Sequence, residues 1–517
     1  MRLLTIPLLL CIAAGPPADK KDGAAAKPKI TVGKETTRVT GPLDKEGFVD
    51  YVTALNERLS KGVTPKNNAN VMLWKSFGPK PEGAAMPAAF WKWMKIDPLP
   101  EKGEYFIWMH HYFKKHAAID PTKDINTVFD NMDKAHAQFW KSKDFPIIAG
   151  WLTVNEKTLD MVVEATKLPE YYSPLVPSDR GAGPGGLVTA LLPGVQKCRE
   201  YANALTIRAM LRAGEGRLDD AWQDLLAVHR LGRLIGRGGT LIEALVGIAI
   251  EHIAAGCDLT LLEDAKLDRK KIEKCRRDLE ALPAMPGMAD KLNITERLIY
   301  LDIVTNAARH GTKGLDEIVP GGLGIPADFD VSAFTKDLDW DIVLKRGNQW
   351  FDRVTAALAK ERPERQKEIE AVEKELKDLK ATITVEAAVK LFKETPQKRG
   401  KFVGDLAVVM LLPATTKVIM AGDRCEQTQR NERLAFALAA YKSDNGSYPK
   451  TLDALAPKYL AKVPGDFFTG KALTYRPRED GYLFYSFGPN GKDDGGRFYD
   501  DDPPGDDPNV RMPRKKR

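Results

Sequence analysis

Residues 201–236 read YANALTIRAMLRAGEGRLDDAWQDLLAVHRLGRLIG, and this stretch restricts the fold more than any other in the chain. Apolar side chains recur at helical spacing on both sides of Gly214-Glu215-Gly216-Arg217, so two helices, Tyr201–Gly214 and Leu218–Ile235, are joined by a short turn. A period near 3.6 cannot be satisfied by a strand, whose side chains alternate. Small Ala residues sit where the two helices approach, and Ala221, Trp222, Leu225, Leu226, Val228 and Leu231 make the apolar face of the second. Helical text continues beyond this pair. Thr240–Ala255 is almost all apolar, but Glu243, Glu251 and His252 interrupt it, so a buried central helix is expected rather than a span. Lys270–Leu282 reads as a charged amphipathic helix ending at Pro283, and Leu292–Ala308 as another. From Gln366 onward Glu–Lys pairs at helical spacing support an exposed helix with one apolar face, Ile369, Val372, Leu376 and Leu379. The chain is therefore expected to be mainly α.

The first pair resembles a tetratricopeptide-type helical hairpin. The text does not recur at a period of about 34 residues, so the expectation is a helical hairpin stack by analogy, not a repeat array. Composition agrees with a globular chain: 43% hydrophobic and 29% charged. The 78 basic and 71 acidic residues leave a net charge of +7 over 517 residues, too mild to predict nucleic-acid binding. Gly181–Gly186 and Pro320–Gly324 lack the endings of phosphate-binding loops and read as turns. Asp328 and Asp330 are capable of binding a metal, but a solvated acidic loop is the expectation there.

The chain opens MRLLTIPLLLCIAAGPP. A basic Arg2, an apolar run too short to cross a bilayer and the small residues Ala13-Ala14-Gly15 read as a signal peptide over residues 1–15. Cys11 invites lipidation, but the residue before it is Leu10 rather than a small one. Residues 16–40 read as a flexible linker. Three folded segments follow, at 41–180, 181–400 and 401–512, and then a basic tail at 513–517. Localisation is expected in the periplasm, cell envelope or outside, with no transmembrane helix apart from the signal peptide. Export permits disulfides. Cys257 and Cys275 flank a helix–helix turn near Asp264–Asp268, so a bridge and two buried thiols are both open.

Residues 41–180 hold six of the nine Trp: Trp74, Trp91, Trp93, Trp108, Trp140 and Trp151. They read as an aromatic core, or alternatively as stacking platforms for sugar rings, with Glu104, His110 and His111 beside Trp108 as the polar groups of a glycan-binding or hydrolytic site. His110, His111, His116 and His136 do not stand at the i, i+3 or i, i+4 spacing that a zinc site on one helix face needs.

The C-terminal text is the most specific. An apolar stretch, Leu406–Pro413, leads into a long helix that Gly446 ends with a positive φ. Lys471–Arg476 and Tyr482–Phe487 alternate as a hairpin. Residues of about 425–512 resemble the head of the major pseudopilin of type II secretion. The matching text is Y-K-x-D-N-G-x-Y-P (Tyr441–Pro449), a short Leu-rich helix (Leu452–Leu460), V-P-x-D-x-x-x-G (Val463–Gly470), the hairpin, and Y-S-x-G-x-x-G-K-x-x-G-G (Tyr485–Gly496). The resemblance implies a small α+β head and calcium in the acidic loop, with Asn490, Asp493 and Asp494 and one or more of Asp500, Asp501 and Asp502 as ligands. The alternative is a solvated acidic tail paired with the basic run Arg514–Arg517. A pseudopilin carries its leader and apolar helix at the N-terminus; here the module stands at the far end, its preceding segment contains Asp405 and Lys417, and only the head fold carries over. Together these readings point to an exported, non-enzymatic binding or assembly protein with an envelope protein as partner. A cytosolic helical scaffold is the remaining reading.

Overall fold

The computed structural model describes residues 28–116, 125–177, 186–190, 192–311, 334–335, 337–362 and 364–514. The stretch read as a signal peptide, with Cys11, the first part of the stretch read as a linker, most of the Gly181–Gly186 loop, the Pro320–Gly324 loop, Asp328, Asp330 and residues 515–517 lie outside them. The protein is mainly helical, with a small three-stranded antiparallel sheet near its C-terminus. In chain order the helices are α1 (Tyr51–Leu59), α2 (Ala69–Phe77), α3 (Ala88–Met94), α4 (Met109–His116), α5 (Ile125–Ala137), α6 (Pro146–Val154), α7 (Glu156–Ala165), α8 (Val195–Gly214), α9 (Leu218–Gly236), α10 (Leu241–Asp264), α11 (Arg269–Glu280), α12 (Met288–Lys291) and α13 (Arg297–His310). After them come α14 (Trp340–Leu358), α15 (Glu364–Thr382), α16 (Val385–Leu391), α17 (Pro396–Leu411) and α18 (Pro413–Asn445). The strands are β1 (Thr474–Arg478), β2 (Gly481–Tyr485) and β3 (Asn509–Met512).

The hairpin read from the sequence is α8–α9, and α10 packs on both of its helices. Thr240 and Glu243 form a reciprocal capping box that starts α10. The crossing of α9 and α10 is close because two glycines face each other. A Cβ on Gly247 would stand 2.5 Å from the Gly232 carbonyl oxygen and 2.7 Å from the Gly236 nitrogen. By length and composition α10 is apolar enough to cross a membrane, and 61% of its most apolar window is buried inside the protein. Cys257 and Cys275 are both buried free thiols.

Among the described residues the interior forms two clusters. One combines the aromatic residues of α2–α7, the helices α8–α11 and the C-terminal sheet. The other combines α1, α13–α15, the end of α17 and the start of α18, including Val418 and Ile419. At 33 residues α18 is about 50 Å long and reaches from the second cluster into the first. The segments read from the sequence thus contribute to shared cores.

In the N-terminal region the Trp faces are covered by protein. Trp74 packs on Phe77, Phe90 and Trp91, and Trp108 stacks on Tyr201 at 5.6 Å and lies under the Lys197 ammonium. The indole N–H of Trp140 donates to the Ile207 carbonyl and that of Trp151 to the Ile107 carbonyl. Trp93 alone of the six is half-buried. Glu104 is exposed and pairs with Lys157, and His110 and His111 lie side by side on the surface. His136 is apart from them, on α5, with Nε2 3.8 Å from the Cys257 sulfur.

Residues 28–40, read as part of a linker, are held in place. Thr36 and Thr37 are buried, the Asn348 amide of α14 donates to the carbonyls of Glu35 and Thr36, and the Thr31 amide donates to Asp341. Polar composition hid this because the bonds come from side chains more than 300 positions away.

Candidate metal centre

The C-terminal head is built on α18. Its last turn closes on Gly446 in the left-handed conformation, φ 78°, as Asp444-Asn445-Gly446 predicted. The chain then makes a short 3-10 helix, Leu452–Leu455, where the sequence suggested a longer one. Asp466, from the V-P-x-D text, is buried and ties the head together. It accepts hydrogen bonds from the Phe468 amide at 2.8 Å, the Ser486 hydroxyl at 2.7 Å, the Phe487 amide at 2.9 Å and the Thr469 hydroxyl at 2.9 Å. β1 and β2 pair from Thr474↔Tyr485 to Arg478↔Gly481, leaving Glu479-Asp480 as the turn. The strands are shifted by a few residues from their expected bounds. β3, which the sequence did not suggest, pairs with β2 from Tyr482↔Met512 to Tyr485↔Asn509.

The acidic loop therefore lies between two neighbouring strands, its ends joined by the Ser486 amide donating to the Pro508 carbonyl. Within it the carboxylates of Asp494, Asp506 and Asp507 offer oxygens that all lie within 4.8 Å of one another. Asp507 is fully buried and accepts from the amides of Gly496 at 2.8 Å and Asp494 at 3.0 Å through Oδ2. Its Oδ1 has no hydrogen-bond partner. Asp494 Oδ2 accepts from the Asp506 amide at 3.1 Å. The Asn490 side chain donates to Asp506 Oδ1 at 2.5 Å, and its backbone amide to Asp506 Oδ2 at 3.1 Å.

Electrostatics follow from this crowding. Burial pushes the Asp507 carboxyl up to about 6, with the charges of Asp494 and Asp493 adding to it. Burial also raises Asp506, again helped by Asp494, whereas the bond from the Asp506 amide lowers Asp494. Three acidic groups facing one another, one with a buried unpartnered oxygen, suit a hard divalent cation with oxygen ligands. Asp494, Asp506 and Asp507 would be the anionic ligands of a calcium ion, while Asn490 turns its side-chain NH2 toward Asp506 and its Oδ1 to the Lys492 amide.

Of the residues expected at this site, Asn490 and Asp494 are brought together. Asp493 is exposed and accepts from the Tyr485 hydroxyl and the Gly495 amide. Asp501 accepts from the Phe498 amide within its own turn, and Asp500 and Asp502 are exposed. Asp506 and Asp507 were missed. Nothing local in the sequence singles them out among the seven Asp of the loop, because the four-residue strand that fixes their place is too short to show a period.

The chain matches no known protein family, no curated protein and no solved structure.

Proposed function

We propose that the chain is an exported, non-enzymatic binding or assembly protein of the cell envelope, with a pseudopilin-like head that binds calcium and meets an envelope protein. The observation that carries this reading is the double use of α18. It is the spine of the head, where it packs on β3, and it is also a core helix of the body, packed on α10, α11 and α15. A helix buried in this way presents the head's loops on a rigid support and is not free to pack into a fibre. The aromatic N-terminal region supports the same reading. Five of its six Trp are buried, so they add to the support rather than to a sugar-stacking surface. The orphaned oxygen of Asp507 supports calcium in the loop.

Fractionation of cells producing the chain, with N-terminal sequencing of the purified product, tests export. The expected product begins just after Ala13–Gly15 and lies outside the cytosol; a cytosolic product that keeps Met1 would sink the reading. A photo-crosslinker at Tyr499, which is half exposed in the acidic loop, tests assembly. One discrete envelope adduct that disappears in Asp507→Asn is expected, and no adduct in calcium-replete cells argues against a partner at this loop.

A further inference from the structure

α9, α10 and α18 meet around a group of side chains that solvent does not reach. His229 of α9 stands at its centre. Its Nε2 lies 3.3 Å from Asp258 Oδ2 of α10 and 3.4 Å from Glu432 Oε1 of α18. The three residues offer ligand atoms that all lie within 4.8 Å of one another, and their exposures are 0%, 0% and 4%. The other ring nitrogen, Nδ1, is 3.0 Å from Glu251 Oε2. Glu251 is held in turn by the Arg233 guanidinium and by the Gln429 amide at 3.3 Å.

Two observations separate this group from an ordinary buried ion pair. The first is spacing. A charge-assisted N–H···O bond runs to about 2.7–2.9 Å, and both Nε2 contacts are longer. Neighbouring ligands on a tetrahedral zinc ion, with bonds of about 2.0–2.1 Å, stand about 3.4 Å apart. The second is orphaned oxygens. Asp258 Oδ1 and Glu432 Oε1 are buried and have no hydrogen-bond partner. Two buried carboxyls that face each other in this way are costly unless a cation or a shared proton lies between them. The Glu251 carboxylate on Nδ1 is also the kind of partner that orients a metal-bound imidazole, holding the Nδ1 proton so that Nε2 can meet an ion. Charge is complementary too, since Asp258 and Glu432 together match a divalent ion while Glu251 is matched by Arg233.

We propose that His229 Nε2, Asp258 and Glu432 bind a divalent transition-metal ion, zinc above others, with Glu251 as the carboxylate that positions the imidazole. One nitrogen and two carboxylates suit zinc, with both Nε2-to-oxygen separations near the value for neighbouring zinc ligands, and the unpartnered second oxygen lets Asp258 bind the ion through both oxygens. The site is closed to solvent, so the ion is structural. It pins α18, the spine of the head, to the hairpin of the body. This site is separate from the acidic loop and does not depend on the envelope role.

The test uses the full chain, refolded with zinc or with chelator and then dialysed. About one zinc per chain is expected, with a higher unfolding temperature than the chelator-refolded protein, and cobalt in place of zinc should give the visible bands of a tetrahedral site. Asp258→Asn and His229→Gln should each lose the ion, while Asp494→Ala, in the acidic loop, should keep it. If either core variant fails to fold, the wild-type comparison of zinc against chelator still decides. A wild-type chain that holds no zinc and melts identically in both preparations overturns the proposal. So does an ion kept by Asp258→Asn and lost by Asp494→Ala.

Discussion

Asp507 is the residue whose chemistry is most exposed to test. Its folded carboxyl titrates near 6, above the ordinary value of 3.8. The folded chain therefore holds a proton that the unfolded chain has released, and this contribution to stability falls as pH rises from about 4 to about 6. In chelator, Asp507→Asn should flatten that slope relative to wild type in thermal melts taken across this range. Calcium should act in the opposite sense above about pH 6. With a dissociation constant of about 0.1 mM, calcium at about 1 mM would stabilise the chain by roughly 1.4 kcal/mol, and Asp507→Asn should abolish most of that gain. Equal melting temperatures in calcium and chelator would exclude the loop as a calcium site. Asp466 answers a different question. Asp466→Ala leaves the Ser486 hydroxyl and the Phe487 amide without their acceptor, so urea unfolding should show a loss of about 3 kcal/mol. Asp466→Asn, which keeps one acceptor oxygen, should lose less.

Among the elements, α18 and the α9–α10 crossing matter most. Phe436 is fully buried and meets Trp222 of α9 edge-on, with ring centres 6.1 Å apart. Phe436→Ala should cost about 3–5 kcal/mol in denaturant titration. A loss below about 1 kcal/mol would mean that the helix is loosely seated. At the crossing, Gly247→Ala places a methyl against backbone that a side-chain rotation cannot clear, so a loss of about 1–3 kcal/mol is expected. Elements with strong periodicity were legible in the sequence. α15 buries Ile369, Val372 and Leu376, three of the four residues read as its apolar face. β3 was not legible because four residues, Asn509–Met512, follow a Pro- and Asp-rich loop and are too few to establish a period. They are a strand only because β2 offers them an edge.

At the scale of the whole molecule, head and body should unfold together. The head is attached at many points besides α18. Arg276 donates to the Tyr459 carbonyl, Arg362 to the Phe468 carbonyl at 3.0 Å, and Arg514 pairs with Glu263 and donates to Thr260 of α10. Arg514, which the sequence groups with the basic tail as a partner for the acidic loop, is anchored on α10 instead. A fragment spanning Arg424–Pro513 would expose the face of α18 that α10 and α11 cover. It should give poorly dispersed amide signals in solution, while the full chain shows one thermal transition by both far-ultraviolet dichroism and Trp fluorescence. A well-dispersed fragment spectrum would show that the head folds independently.

The sequence by itself determined the helical class, the α8–α9 hairpin, the buried nature of α10, the end of α18 at Gly446 and the presence of a β-hairpin. Each of these is written in neighbouring residues, where period, caps and turns act over a few positions. Only the tertiary structure decided which carboxylates share the acidic loop, that residues 28–40 are pinned by Asn348, and that His229, Asp258 and Glu432 meet. Glu251 and Asp258 stand seven residues apart, two turns along one face of an apolar helix, which is a signal for a buried polar function. Nothing in that spacing names Glu432, 174 positions further on from Asp258. Contacts between distant segments are set by how whole helices pack, and a local pattern carries no record of the partner it will meet.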